Sequence, residues 1–116
     1  MSVRVEVHRA DDRGNVYTLL EDLRWGELTV PAGFESDGAS VPRFFWRLVF
    51  PPGDAAALRA AILHDYVYRE QPEGWNRADA DKLFYGVLLG DGVSAWRARL
   101  AYWGVRLFGG RSWDDE

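Results

Sequence analysis

The sequence of 116 residues contains no cysteine, which excludes disulfide bonds and metal sites built on thiolates. It has no run that approaches the roughly 18–20 consecutive apolar residues of a membrane-spanning helix. The N-terminus also lacks the basic segment followed by an apolar segment that marks a signal peptide. We therefore expect neither a transmembrane segment nor a signal peptide, and any contact with a membrane is expected to be peripheral.

Basic charge is also scarce, with 14 Lys and Arg against 18 Asp and Glu and a net charge of −4. Affinity for nucleic acid comes mainly from basic side chains that neutralise phosphates, so no nucleic-acid partner is expected. Basic residues gather locally near the C-terminus, at Arg97, Arg99, Arg106 and Arg111. We predict that they lie on a solvated helix face between buried Trp and Leu residues. A contact surface for anionic lipid or for a partner protein is the alternative.

Aromatic residues, in contrast, are abundant: the chain has six Trp, six Phe and five Tyr. Each aromatic side chain can remove on the order of 150–250 Å² of surface from water. A chain of this length can therefore bury a core of its own, but it is too short for two domains. We predict one domain that spans residues 1–116.

The residue pattern predicts an α+β fold, with a small N-terminal antiparallel sheet followed by a three-helix C-terminal part. Alternating apolar and polar residues favour strands at 3–9, at 16–25, pairing back on the first, and at 28–31. Residues 32–42 are too rich in turn formers for a regular element, and residues 41–50 suit a short helix. Three longer helices are expected from 55 to about 70, from 77 to about 89 and from 95 to about 108. Their predicted caps are Asp54, Asn76 and Ser94.

The residues that best suit catalysis lie on the first two of these helices. His64 shares a helix face with Tyr68, whereas the adjacent Asp65 points to a neighbouring face. Asp81 lies on the apolar face of the second helix, where an unpaired carboxylate is costly. If the two helices are antiparallel, Asp81 approaches His64, fixes its tautomer and leaves the other ring nitrogen to take a proton from water. The alternative is a cluster whose role is only structural.

The loop at residues 35–40 is a second polar cluster. The carboxylate of Asp37 and backbone carbonyls such as that of Gly38 are oxygen ligands of the kind that Ca²⁺ prefers, and Asp65 would add another. A turn in which Asp37 and Ser40 bind backbone amides is the alternative.

Five blocks of the sequence resemble a phage- and prophage-associated family known as domain of unknown function 1353. The blocks are VPAGF at 30–34, SDGASVPR at 36–43, AILHDYVY at 61–68, RADADKLF at 77–84 and YWGVRLFG at 102–109. They occur in the family's order over about residues 28–113. The resemblance implies a phage protein in the virion or the host cytoplasm, with other virion or tail proteins as partners. It implies no activity.

A second resemblance does imply an activity. The pattern His64-Asp65-x-x-Tyr68, followed by a helix that bears Asp81, is similar to the active-site core of the phospholipase A2 superfamily. This likeness implies that His64 activates water, that Asp81 orients His64 and that Tyr68 supports the site. It also implies Ca²⁺ as the cofactor. The implied ligands are Asp65 and the loop carboxylate Asp37. The cysteines and the glycine-rich calcium loop of the secreted and animal enzymes are absent from this sequence.

Two functions follow as hypotheses. The first is calcium-dependent hydrolysis of a lipid or another ester of the host envelope. The second is a non-enzymatic tail or assembly component, in which the His/Asp cluster is structural and the aromatic third helix is partly a docking face. A phosphohydrolase with transition metals is disfavoured, because such sites need several histidines and only His8 remains besides His64.

Overall fold

The computed structural model of the chain describes residues 4–10, 14–36, 58–110 and 113. These residues fall into two compact units, one formed by residues up to 38 and the other by residues from 39 onward. The first unit carries the strands and the second carries the helices, so the predicted α+β class is confirmed.

The first unit contains two small antiparallel sheets. Strands β1 (Val5–Ala10), β2 (Gly14–Leu19) and β5 (Glu35–Ser36) form one sheet in the order β1-β2-β5. Strands β3 (Leu23–Trp25) and β4 (Leu28–Val30) form the other, joined through Gly26, whose φ of 58° suits a glycine. The register sets His8 opposite Val16 and Tyr17 opposite Ser36.

Two predictions for this unit were wrong in detail. The expected strand at 16–25 is divided, because the chain bends at Leu20 and Glu21 before β3 begins. The Asp22 carboxylate accepts a hydrogen bond from the backbone amide of Ala32 at 2.8 Å, which holds this bend against a later turn. The turn-rich stretch at 32–42 was expected to lack regular structure, yet Glu35–Ser36 pairs with β2 as β5.

The second unit contains three described helices, α1 (Leu58–Glu70), α2 (Arg77–Gly90) and α3 (Ala95–Phe108). The three longer helices expected from the sequence are therefore confirmed. The predicted start of the first at 55, its cap Asp54 and the short helix at 41–50 lie outside the described residues. Helix α1 packs on α2, and α2 packs on α3.

Local capping explains where α2 and α3 begin and end. Asn76 and Asp79 form a reciprocal capping box, with Asn76 Oδ1 accepting from the Asp79 amide at 2.8 Å. Helix α2 ends at Gly90, and Gly92 follows with a φ of 93°. Ser94 occupies the N-cap position of α3, as predicted, but its side chain makes no capping hydrogen bond.

Contacts between α1 and α2 show that the two helices are antiparallel. Arg59 pairs with Asp91 and His64 pairs with Asp81, so residue numbers rise along α1 as they fall along α2. Fully buried apolar side chains fill the unit, among them Ile62, Leu63, Val67, Phe84, Val87, Leu88 and Val105. The polar pairs above are therefore embedded in an apolar core. Within the described segments, no helix has the length and hydropathy needed to cross a membrane.

Candidate functional site

His64 lies at the centre of the helical unit with no exposed surface. Its ring packs between two aromatic rings, at centroid distances of 4.1 Å from Tyr68 and 4.9 Å from Phe84. Tyr68 is one helical turn further along α1, and Phe84 comes from α2. These contacts restrict the imidazole to one orientation.

Asp81 binds both His64 and Tyr68 through one carboxylate oxygen. The Nε2 atom of His64 lies 2.7 Å from Asp81 Oδ1, and the Tyr68 hydroxyl donates to the same oxygen at 2.6 Å. Asp81 is completely buried. The structure thus brings together His64, Tyr68 and Asp81, as the antiparallel helix pair predicted, while their catalytic roles stay predictions.

The second oxygen of Asp81 binds an arginine that was predicted to lie on a solvated helix face. Arg106, in the last turn of α3, donates from Nη1 to Asp81 Oδ2 at 2.9 Å. Only 29% of its side chain is exposed, so the prediction of a solvated face was wrong for this residue. The expectation of buried tryptophans on α3 was also wrong, since Trp96 and Trp103 are 61% and 57% exposed.

Arg77 completes the polar network from the first turn of α2. Its Nε donates to the Tyr68 hydroxyl at 3.2 Å and lies 4.0 Å from Asp81 Oδ2. One signal in the sequence pointed to such partners: a carboxylate on an apolar helix face needs a cation. The sequence did not say which of the arginines on α2 and α3 would reach it.

The network favours the ionised form of Asp81. Burial alone would raise the pKa of this carboxyl, but the hydrogen bonds from His64, Tyr68 and Arg106 outweigh burial and hold the pKa below its usual value. Burial and the bond to Asp81 raise the pKa of Tyr68 well above its usual value, so its hydroxyl stays a donor. Because Asp81 is an acceptor only, the proton shared with His64 sits on Nε2.

The predicted calcium ligands are only partly within the described structure. Asp65 is buried, with 3% of its surface exposed, whereas Asp37 and Gly38 lie outside the described residues. In residues 4–10, 14–36, 58–110 and 113, no group of three His, Asp or Glu side chains converges on an ion-sized site. The role of Asp65 as an ion ligand stays a prediction.

The C-terminal end of α3 and the residues after it pack against Tyr68. A Cβ atom on Gly109 would lie 2.9 Å from the Tyr68 hydroxyl, and the ring of Trp113 meets the Tyr68 ring edge-on at 5.3 Å. Gln71, which follows α1 and has a φ of 45°, donates from its side-chain amide to the Trp113 carbonyl at 2.8 Å. Tyr68 is therefore enclosed by all three helices or their ends.

Residues 17–105 match the family described as "Protein of unknown function (DUF1353)". The chain belongs to this family. The DUF1353 match contains His64, Asp65, Tyr68 and Asp81 and ends one residue before Arg106.

Two relatives of this DUF1353 chain come from Sinorhizobium fredii. "Uncharacterized protein y4jT" is 34% identical over 87 residues, which cover 75% of this chain and 24% of the relative. "Uncharacterized protein y4iH" is 30% identical over 77 residues, which cover 66% of this chain and 31% of the relative. The matched region thus spans 24% and 31% of these two longer proteins. No solved structure matches the chain.

Proposed function

We propose that this protein is a phage or prophage hydrolase in which His64 acts as a general base on a water molecule and the substrate is a phospholipid or another ester of the host envelope. The observation that carries the proposal is the contact of His64 Nε2 with Asp81 Oδ1 at 2.7 Å, with the Tyr68 hydroxyl on the same oxygen. The likeness of this trio to the phospholipase A2 core supports the class of substrate. The predicted setting is the virion, in association with the tail.

The chemistry follows from the two nitrogens of the imidazole. Asp81 holds the proton of His64 on Nε2, so Nδ1 is the nitrogen that takes a proton from water. The resulting hydroxide attacks the ester carbonyl, and His64 returns the proton to the leaving alkoxide as the bond to the acyl group breaks. The ionised Asp81 stabilises the imidazolium between these two transfers. Tyr68 holds Asp81 in place through its own hydroxyl.

In the same proposal, bound calcium would polarise the ester carbonyl. The proposed ligands are Asp65, Asp37 and Gly38. Ca²⁺ takes about six to eight oxygen ligands, so the residues proposed here would supply part of the set. The proton transfers at His64 and the stabilising role of Asp81 do not depend on this assignment.

Complete burial favours a second candidate function. His64 and Asp81 have no exposed surface, and a buried network in which the polar atoms bind one another is also what a structural lock between helices requires. In this candidate the protein is a non-enzymatic virion or tail component, and the cluster fixes α1, α2 and α3 for assembly with other phage proteins.

Hydrolysis assays separate the two candidates. The purified protein is incubated with a panel of phospholipids and simple esters, with Ca²⁺ or with a chelator. His64→Asn is expected to lower the rate by about 100-fold or more, since general-base catalysis contributes roughly 10²–10⁴-fold. His8→Asn is the matched control, because His8 lies exposed on β1.

Each outcome favours one candidate. Turnover that needs Ca²⁺ and is lost in folded His64→Asn, but kept in His8→Asn, supports the hydrolase. No turnover of any substrate in the panel, together with detection of the protein in purified phage particles, supports the non-enzymatic component. Turnover that survives His64→Asn contradicts the assignment of the base.

A further inference from the structure

The two oxygens of Asp81 have different partners. Oδ1 accepts from His64 and from the Tyr68 hydroxyl, whereas Oδ2 accepts from Arg106 Nη1 at 2.9 Å. A carboxylate attached through one rotatable bond changes both oxygen positions when it turns. Binding Oδ2 therefore also fixes where Oδ1 points.

The backbone around Arg106 is held by hydrogen bonds from Arg77. Arg77 Nη2 donates to the backbone carbonyls of Val105 and Arg106, at 2.7 and 2.6 Å, and Arg77 Nε donates to the Tyr68 hydroxyl at 3.2 Å. A closed ring of contacts results, which runs from Asp81 to Arg106, through Arg77 to Tyr68 and back to Asp81. The last turn of α3 is thus tied to the α1–α2 pair at the site.

We propose that Arg106 is a positioning residue, which acts through Asp81 to hold the His64 imidazole in the Nε2-protonated tautomer. Its guanidinium binds Asp81 Oδ2 and so keeps Oδ1 aimed at His64 Nε2. It does not touch the water or the ester. This inference rests on the function proposed above for its catalytic consequence, but its structural claim concerns the tautomer of His64 and is measurable without turnover.

The physical basis is the geometry of a charge-assisted hydrogen bond in a buried site. Such bonds are short and stronger than neutral ones, and burial raises the cost of losing one. Without Arg106, Oδ2 loses its charged donor and the bonds at Oδ1 are left to orient the Asp81 carboxylate. The hydrogen bond to His64 then loses part of its fixed angle. A small misplacement of a catalytic group is sufficient to cost about 100-fold in rate.

Nuclear magnetic resonance of the imidazole tests the proposal directly. The ring ¹⁵N shifts distinguish the Nε2-protonated tautomer from the Nδ1-protonated one, and His8→Asn assigns the signals, because the chain has 2 histidines. The variants are Arg106→Gln, Arg106→Lys and, as the matched control, Arg99→Gln. Arg99 lies seven residues before Arg106 on the same face of α3 and is exposed.

In Arg106→Gln the His64 signals are expected to move toward a mixture of tautomers, and kcat to fall about tenfold or more with little change in KM. Arg106→Lys keeps a shorter cationic side chain and is expected to lie between Arg106→Gln and the wild type. Arg99→Gln is expected to match the wild type. Folding of each variant is checked by thermal unfolding. If Arg106→Gln does not fold, the His64 signals of Arg106→Lys test the proposal.

Unchanged His64 ring signals in every folded variant at position 106 would overturn the proposal and leave Arg106 a purely structural ion pair. A wild-type protein that hydrolyses nothing would instead count against the proposed function alone, because the ring signals still report whether Arg106 positions His64. The two failures are thus distinguishable.

Discussion

The hydroxyl of Tyr68 takes part in two hydrogen bonds at once, donating to Asp81 and accepting from Arg77. Tyr68→Phe removes both while it keeps the ring against His64. We expect a loss of about 1–3 kcal/mol in the free energy of unfolding, because Arg77 loses an acceptor and Asp81 loses a donor in a buried site. Urea unfolding measures the change.

Tyr85→Phe is the matched control for Tyr68→Phe. Tyr85 lies on α2 and is partly exposed, and its ring centroid lies 5.7 Å from that of Tyr102 in a tilted arrangement. Its hydroxyl is not part of the Asp81 network, so we expect a change within about 0.5 kcal/mol. Equal losses in the two variants would show that the Tyr68 bonds add nothing beyond an ordinary tyrosine hydroxyl.

Single residues also show how far a sequence can predict a site. His64, Tyr68 and Asp81 were predictable because helix periodicity places the first two on one face and a short connection makes the two helices antiparallel. Arg106 was not predictable as the partner of Asp81. Its selection depends on how α3 packs against α2, and several arginines in the sequence have similar local surroundings.

At the scale of elements, the end of α3 depends on a glycine beside Tyr68. A Cβ atom on Gly109 would lie 2.5 Å from the Val105 carbonyl oxygen and 2.9 Å from the Tyr68 hydroxyl. We expect Gly109→Ala to cost about 1–3 kcal/mol in the free energy of unfolding, because α3 must shift away from α1. Thermal and urea unfolding measure the cost.

The control for this substitution is the same change on an exposed helix face. At Gly86, inside α2, a Cβ atom meets no atom of the described chain within 4 Å. Gly86→Ala is expected to stabilise the protein by about 0.5–1 kcal/mol, because alanine loses less backbone entropy on helix formation. A stabilising Gly109→Ala would contradict the close packing of α3 on Tyr68.

A bidentate ion pair joins the other end of the α1–α2 pair. Arg59 donates from Nε to Asp91 Oδ2 at 3.0 Å and from its Nη2 to Asp91 Oδ1, and the two side chains are 10% and 18% exposed. Asp91→Asn is expected to cost roughly 3 kcal/mol in the free energy of unfolding, since it removes the charge from one partner of a largely buried, bidentate ion pair.

An exposed ion pair provides the comparison. Arg4 Nε lies 4.0 Å from Glu21 Oε1, and the two side chains are 67% and 60% exposed. Glu21→Gln is therefore expected to lower the free energy of unfolding by less than about 1 kcal/mol. The unfolding transition of each variant is followed in urea. An equally small cost for Asp91→Asn would mean that solvent screens the Arg59 pair as well.

The elements differ in how well the sequence predicted them. Helices α2 and α3 were predicted closely because their limits are local, set by Asn76, Gly92 and the glycines after Phe108. The strands were predicted less well. Whether residues 20–22 continue a strand depends on the bond from Ala32 to Asp22, and β5 exists only through its pairing with β2. Such pairings join residues distant in sequence and leave no periodic pattern.

At the scale of the whole molecule, buried charge links folding to pH. The chain carries 18 acidic residues. The carboxyl of one of them, Asp81, is completely buried and hydrogen-bonded to three side chains. Its pKa in the folded state lies below the usual value, since its hydrogen bonds outweigh the effect of burial. The unfolded state therefore binds a proton at this carboxyl at a higher pH than the folded state does.

This difference fixes the sign of the expected pH dependence. The contribution of Asp81 to stability is fully present above its unfolded pKa of about 4 and is lost as the pH falls toward the folded pKa. Asp81→Asn cannot titrate at this position, so the difference in free energy of unfolding between wild type and Asp81→Asn isolates the effect. We expect that difference to be largest above about pH 5 and to shrink steadily toward pH 2.

Urea unfolding at several pH values measures this difference, and Glu21→Gln, which changes an exposed carboxylate, is the control. The difference between wild type and Glu21→Gln is expected to stay below about 1 kcal/mol at every pH, because an exposed ion pair contributes little to stability. A difference for Asp81→Asn that is constant from pH 5 to pH 2 would mean that His64, Tyr68 and Arg106 do not favour the ionised carboxylate. The charge arrangement on which both the proposed base and its positioning depend would then be wrong.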